Sequence, residues 1–218
     1  MRNAIACLHT ARSNVAVFEA ACPPGLRLCH AVRPDLLAAC EQAGGLTPTV
    51  TARTAEALRA LARDAGAVLL TCSSLGPVAD QAGRSCPTPI LRADVAMAAE
   101  AARGGGWIVA LCAAPMTIVP TNALFAAAAA TGSRVETRLI NGAWALFRAG
   151  RPEAYHAAIA AAADAAFRDG ANVVALAQAS MTGAAALCRA GAPMTVPRAA
   201  LQAVSVRLQR GDRAGGGA

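Results

Sequence analysis

The sequence predicts an α/β fold of two similar lobes, each a short parallel sheet flanked by helices. Three observations predict it. Short apolar runs alternate with Ala-rich helical stretches, which argues for parallel strands joined by right-handed crossovers. The same order of elements occurs twice along the chain. The apolar share is 56% but only 3% of residues are aromatic, so Ala, Val and Leu carry it. That suits helices packed closely on a sheet of small residues better than an all-β sandwich. At 218 residues the chain is long enough for a substantial core.

The elements follow in order. A first strand, Ala4 to Leu8, leads through a polar turn, His9 to Ser13, into a helix from about Asn14. Its counterpart is Trp107 to Leu111, a turn from Cys112 to Met116, and a helix from Thr117 through Ala130. Second strands are expected at Leu26 to Val32 and Arg134 to Ile140, and helices at Ala52 to Ala65 and Pro152 to Asp169. Gly66 and Gly170 stop those helices. The apolar runs Val68-Leu69-Leu70 and Val173-Val174-Ala175-Leu176 then read as strands buried on both faces. Pro-led strands close each half, Pro89 to Arg92 and Pro193 to Val196. Residues 1–94 with about 198–218 are expected to form the first lobe, and 95–197 the second. A disordered tail is expected from Arg210.

Composition narrows the function classes. The net charge is +7, yet every basic residue is a scattered Arg and aromatics are few. A nucleic-acid surface wants clustered charge, and for single strands stacking rings. No nucleic-acid partner is therefore expected. Trp107 to Ser133 is uncharged, but Pro115 and Pro120 interrupt it, so a strand, a turn and a buried helix account for it without a membrane span. The eight cysteines form no CxxC and no Cys/His cluster with zinc spacing. No basic-then-apolar leader is recognisable. Free thiols in a reducing, cytoplasmic compartment are the expectation.

In parallel α/β sheets ligands collect beyond the carboxyl ends of the strands. The two halves are expected to face one another there, with the ligand between them. Thr71-Cys72-Ser73-Ser74-Leu75-Gly76-Pro77 closes the central strand of the first half. A thiol at that point meets the start of the next helix, where the dipole favours thiolate and unpaired N–H groups can hold a carboxylate. Ser73 and Ser74 add hydroxyl donors. The competing reading is a buried, inert cysteine. Aligned from Ala67 and Val173, the repeats pair Cys72 with Gln178 and Ser74 with Ser180. Gln178 can orient a substrate but transfers no proton near neutral pH. Ser13 and Thr117 occupy equivalent strand-to-helix turns, where their hydroxyls suit helix caps; Thr10, Asn14, Thr117 and the adjacent amides are the alternative carboxylate binders. His9 ends the first strand and is the histidine placed to act as acid or base. His30 is expected beside a strand, and His156 on the surface of a helix.

Leu70-Thr71-Cys72-Ser73-Ser74-Leu75-Gly76-Pro77, Pro115-Met116-Thr117-Ile118-Val119-Pro120-Thr121 and Leu176-Ala177-Gln178-Ala179-Ser180-Met181 resemble the Asp/Glu/hydantoin racemase superfamily, which includes arylmalonate decarboxylase and maleate isomerase. The resemblance covers nearly the whole chain. It implies a pseudo-twofold pair of lobes, each offering one cysteine to a shared cleft, with no cofactor or metal. One cysteine removes a proton next to a carboxylate and the other returns one on the opposite face. Here the first cysteine is present as Cys72, and Gln178 stands at the second. Inversion needs proton transfer on both faces, so two-cysteine racemisation is not expected. Protonation after decarboxylation, isomerisation through a thiol adduct and one-sided proton exchange each need one thiol and stay open. Arylmalonate decarboxylase also uses one cysteine, but at the position Gln178 occupies here.

The expected function is that of a cofactor-independent racemase-like enzyme acting on a small anionic carboxylate next to the carboxyl carbon. Cys72 and Gln178 are its catalytic pair, and His9, Thr10, Asn14, Thr71, Ser73, Ser74, Thr117 and Ser180 hold substrate. The resemblance implies a homodimer or larger homo-oligomer. The alternative is a carboxylate-binding protein that has lost catalysis.

Overall fold

The computed structural model describes residues 4–215, and side chains for residues 4–209. The chain divides into two compact units, one running up to Ala93 and again from Ala200, the other Asp94–Ala199. The first contains β1 (Ala4–His9), α1 (Ser13–Ala20), β2 (Arg27–Val32), α2 (Pro34–Gln42), α3 (Pro48–Ala62), β3 (Ala67–Leu70), a 3₁₀ turn (Ser73–Leu75), α4 (Gly76–Gly83) and β4 (Ile90–Arg92). From the boundary on come α5 (Ala93–Gly104), β5 (Trp107–Cys112), a 3₁₀ turn (Pro115–Thr117), α6 (Ile118–Ala128), β6 (Arg134–Leu139), α7 (Ala143–Arg148), α8 (Pro152–Arg168), β7 (Val173–Leu176), a 3₁₀ segment (Ala179–Leu187), β8 (Met194–Thr195) and α9 (Val196–Gly215).

Each unit holds a four-stranded parallel sheet, in the orders β2-β1-β3-β4 and β6-β5-β7-β8. The predicted α/β architecture is therefore the observed one, and the repeat extends to single hydrogen bonds. Gly66 N–H donates to Ala4 O as Asn172 N–H does to Trp107 O, both at 2.9 Å. Thr71 N–H donates to Leu8 O at 3.1 Å and Ala177 N–H to Leu111 O at 3.0 Å. Because Leu8 pairs with Leu70 and Leu111 with Leu176, Cys72 and Gln178 both stand two residues past the end of a central strand. The turn bonds refine one pairing. Asn14 N–H donates to Ala11 O and Thr117 N–H to Ala114 O, so Thr117 matches Asn14 rather than Ser13.

The central strands are buried on both faces because helices cover both. In the first unit Ala6 and Leu8 of β1 and Val68 and Leu70 of β3 pack with Leu36, Val50, Leu58 and Val78 from α2, α3 and α4. In the second, Val109, Leu111, Val174 and Leu176 pack on Tyr155, Ile159, Ala163 and Ala166 of α8. The outer strands β2 and β6 are more exposed.

Local signals explain the differences from the sequence-based expectation. The helix expected from Ala52 begins at Pro48, where Thr47 Oγ1 accepts from Val50 N–H at 3.2 Å. Proline suits that first position, since its missing N–H has no partner in any helix start. Pro34 opens α2 in the same way. The Pro-led strands begin one residue later, at Ile90 and Met194, because proline has no N–H for the ladder. The tail expected to be disordered from Arg210 continues α9 to Gly215, since adding a residue to an existing helix costs little; residues 216–218 lie outside those described. Among the described residues no helix is long and apolar enough to cross a membrane.

One turn fixes the register of β5 and β7. Gly106 has φ +66°, and a Cβ there would fall onto the Asn172 side chain. Asn172 Oδ1 accepts from Trp107 N–H at 2.7 Å. Gly106→Ala is expected to cost about 2–3 kcal/mol, from left-handed strain and a weakened hydrogen bond. Urea denaturation measures it as a lower midpoint at unchanged slope.

Candidate active site at the strand ends

In the first unit Cys72 leaves β3 in extended conformation, φ −109° and ψ 115°, and precedes the 3₁₀ turn that leads into α4. That reversal turns the backbone amides of Ser74 and Leu75 back toward the sulfur. These amides, with the hydroxyls of Ser74 and of Thr10, which lies in the turn after β1, favour the thiolate. The residue is half-buried and packs at the margin of the core. Burial pushes the Cys72 thiol above its ordinary value, and these four groups work against that without overcoming it. At neutral pH the free protein therefore carries a thiol in a cradle built for a thiolate.

The neighbouring residues have defined partners. Thr71 Oγ1 donates to Leu8 O at 3.1 Å and lies 2.8 Å from His9 Nδ1. His9 is fully buried and rests on Phe18, ring centres 5.2 Å apart. Its Nε2 lies 2.8 Å from His30 Nδ1, and His30 Nε2 lies 2.8 Å from Glu19 Oε1. Burial, followed by the neighbouring His30, lowers the His9 pKa to about 4, so the ring is neutral. Both nitrogens are engaged, and His9 reaches the neighbourhood of Cys72 through Thr71. Thr10 and Asn14 are buried, whereas Ser73 and Ser74 are half-buried. At the end of β4, Arg92 pairs with Asp80 at 2.7 Å, and its guanidinium lies where a Cβ on Gly76 would be, 2.5 Å away. Gly76 thus lets a cation approach the start of α4.

The second unit uses the same reach differently. Gln178, also extended at φ −129° and ψ 139°, extends to the turn after β5, as Cys72 does to the turn after β1. Its Oε1 accepts from Ala113 N–H at 2.7 Å and Ala114 N–H at 3.1 Å. Two converging donors fix which end of the amide is oxygen. Gln178 therefore occupies with its own oxygen a pair of amides suited to an anion. Thr117 is buried and donates to Ala114 O at 2.7 Å. Ser180 Oγ shares a 2.9 Å hydrogen bond with the buried Tyr155 hydroxyl.

Sequence reasoning passed over several of these groups. Tyr155 was hidden in an Ala-rich helix. The adjacent His156, expected on the surface, is half-buried and donates to Ser180 O at 3.1 Å. Cys112, in the position that matches His9, is buried beside Thr117 and Thr121. Arg92 had a legible signal, the only charged residue in its short strand. The signal for His30 was its place in β2 opposite Cys7, which needs the strand order to be seen.

No protein-family model matches the chain, and no curated protein matches it. Among solved structures it is similar to allantoin racemase from Pseudomonas fluorescens, with a TM-score of 0.68 at 18% identity over 95% of this chain and 92% of that one. At the level of fold, the chain is similar to that allantoin racemase.

Proposed function

We propose that this protein is a cofactor-independent enzyme of the racemase and isomerase type, moving a proton at the carbon next to a carboxyl group with Cys72 as its one acid/base. The observation that carries the reading is the cradle of Thr10, Ser74 and the Ser74 and Leu75 amides around the sulfur. In the forward step the thiolate takes the proton. The electron pair left on carbon delocalises into the carboxylate, which becomes an enediolate. The thiol then returns a proton on the same face: at the original carbon this is exchange with retention, and at a conjugated carbon it is isomerisation. Ser73 and the amides at the start of α4 hold the carboxylate, with the positive charge of Arg92 nearby, while Thr71, engaged with Leu8 O and His9, positions the turn. In the second unit Gln178, Ser180 and Thr117 are polar groups at the equivalent strand ends.

The second reading, a binding protein without catalysis, is favoured by one observation: the Gln178 oxygen is already committed to Ala113 and Ala114. One experiment separates the two. The protein is incubated in heavy water with a panel of chiral small carboxylates and with allantoin, the compound named for the similar structure, and followed by proton NMR and chiral chromatography. Loss of the proton next to the carbonyl with retained configuration supports one-sided chemistry at Cys72. Inversion means a second base and ends the single-thiol mechanism. Absence of exchange, together with saturable protection of Cys72 from alkylation by a carboxylate, assigns the binding role.

A further inference from the structure

The face of the first sheet opposite the α2–α4 core holds a set of groups that the proposed reaction does not use. Cys7 and His9 are two residues apart on β1, so both point to one face. The parallel register sets His30 of β2 beside Cys7. One ligand atom from each of the three lies within 4.8 Å of the other two. Cys7 and His9 are fully buried, and the His30 side chain is 13% exposed.

The hydrogen bonds around the two rings form a relay: Thr71 Oγ1 lies 2.8 Å from His9 Nδ1, His9 Nε2 lies 2.8 Å from His30 Nδ1, and His30 Nε2 lies 2.8 Å from Glu19 Oε1. The relay holds both rings in place on the face that carries Cys7.

We propose that this cluster binds a divalent transition metal of the zinc class through Cys7 Sγ, His9 Nε2 and His30 Nδ1. On binding, the single proton of the His9 ring sits on Nδ1 and is accepted by Thr71, whose hydroxyl donates to Leu8 O. A thiolate with two imidazoles suits zinc and excludes magnesium and calcium, which take oxygen. The outer nitrogens are held as ligating histidines usually are, one on a carboxylate and one on a hydroxyl. Charge also closes: the Cys7 thiolate and Glu19 carboxylate together balance a dication. At ordinary zinc–nitrogen lengths the two nitrogens stand about 3.3 Å apart, so the rings part by about half an ångström on binding. Binding releases the Cys7 thiol proton to solvent. Three protein ligands leave a fourth position for water, the pattern of an open site. The proposal is independent of Cys72 chemistry, although Thr71 joins the two places.

The test is cobalt(II) titration of the reduced, chelator-stripped full-length protein, read by absorption. The expected result is a thiolate-to-cobalt charge-transfer band with intense tetrahedral d–d bands, saturating at one cobalt per chain. Cys7→Ser is expected to abolish the charge-transfer band, and His30→Gln and Glu19→Gln to weaken binding at least about tenfold. The last two lie at the rim and keep the test readable if Cys7→Ser fails to fold. Cys29→Ser, which removes an exposed thiol next to His30 in sequence, is expected to change nothing. Absence of the charge-transfer band in the wild type overturns the proposal and leaves the cluster as a hydrogen-bonded relay alone. A band of full strength in His30→Gln, or one lost in Cys29→Ser, overturns it in favour of an adventitious ion.

Discussion

Cys72→Ser is expected to lower deuterium exchange at the substrate carbon by about 10²- to 10⁴-fold, the usual contribution of one acid/base group. Serine keeps the size and the hydrogen bonds of the cradle, so the fold and the carboxylate contacts survive. What it loses is an atom able to release and regain a proton near neutral pH. The pH dependence has a definite sign. Burial holds the Cys72 thiol above its ordinary value, so thiolate is the minor form at neutral pH. Exchange by proton abstraction then climbs about tenfold per pH unit below that value and levels off above it. A reaction that only protonates a carbanion, such as one following decarboxylation, needs the thiol and shows the opposite slope. Proton NMR of exchange across that range, with wild type and Cys72→Ser side by side, reads both effects. Thr10→Val, which removes one donor to the sulfur, is expected to move the inflection upward.

Much of this site was legible in the chain, for a physical reason. A parallel strand buried on both faces has to be a short apolar run, and the residue just past it has to meet the next helix. That made Val68-Leu69-Leu70 and its partner at Val173 visible, and with them Cys72 and Gln178. Helix starts were harder to place. The Thr47 cap with Pro48, and Pro34 before Leu36, are start signals only once the preceding segment is known not to be helical. Lateral contacts between strands were out of reach. Cys7, His9 and His30 carry no zinc spacing along the chain, because the third group comes from a neighbouring strand and its position depends on register. The hydrogen bond between Tyr155 and Ser180 is hidden too, because it joins α8 to the turn after β7 across the packed core. Nor does sequence reveal that the Gln178 oxygen is occupied, since that depends on how the turn after β5 aims two amides.

Gln178→Leu is expected to destabilise the protein by about 2–3 kcal/mol, whereas Gln178→Glu is expected to retain most of its stability. Leucine fills similar volume but leaves the Ala113 and Ala114 N–H groups without the acceptor they have at 2.7 and 3.1 Å. Each orphaned donor costs about 1–3 kcal/mol when fully buried. Gln178 is only half-buried, so water recovers part of that loss. A carboxylate in glutamate's place still accepts from both amides, and a charged acceptor makes the stronger bonds. Urea midpoints of the two variants measure the difference, and exchange kinetics on the same samples say what else the amide does. If Gln178→Leu leaves exchange at Cys72 unchanged while lowering the midpoint, the residue serves the turn after β5 alone, and the orienting role fails. If exchange slows with a raised KM beyond what reduced stability accounts for, the free NH₂ group contacts substrate. Gln178→Glu then supplies the sharper measurement, because it keeps the turn and removes the donor. A KM that rises there as well isolates substrate orientation from the integrity of the fold.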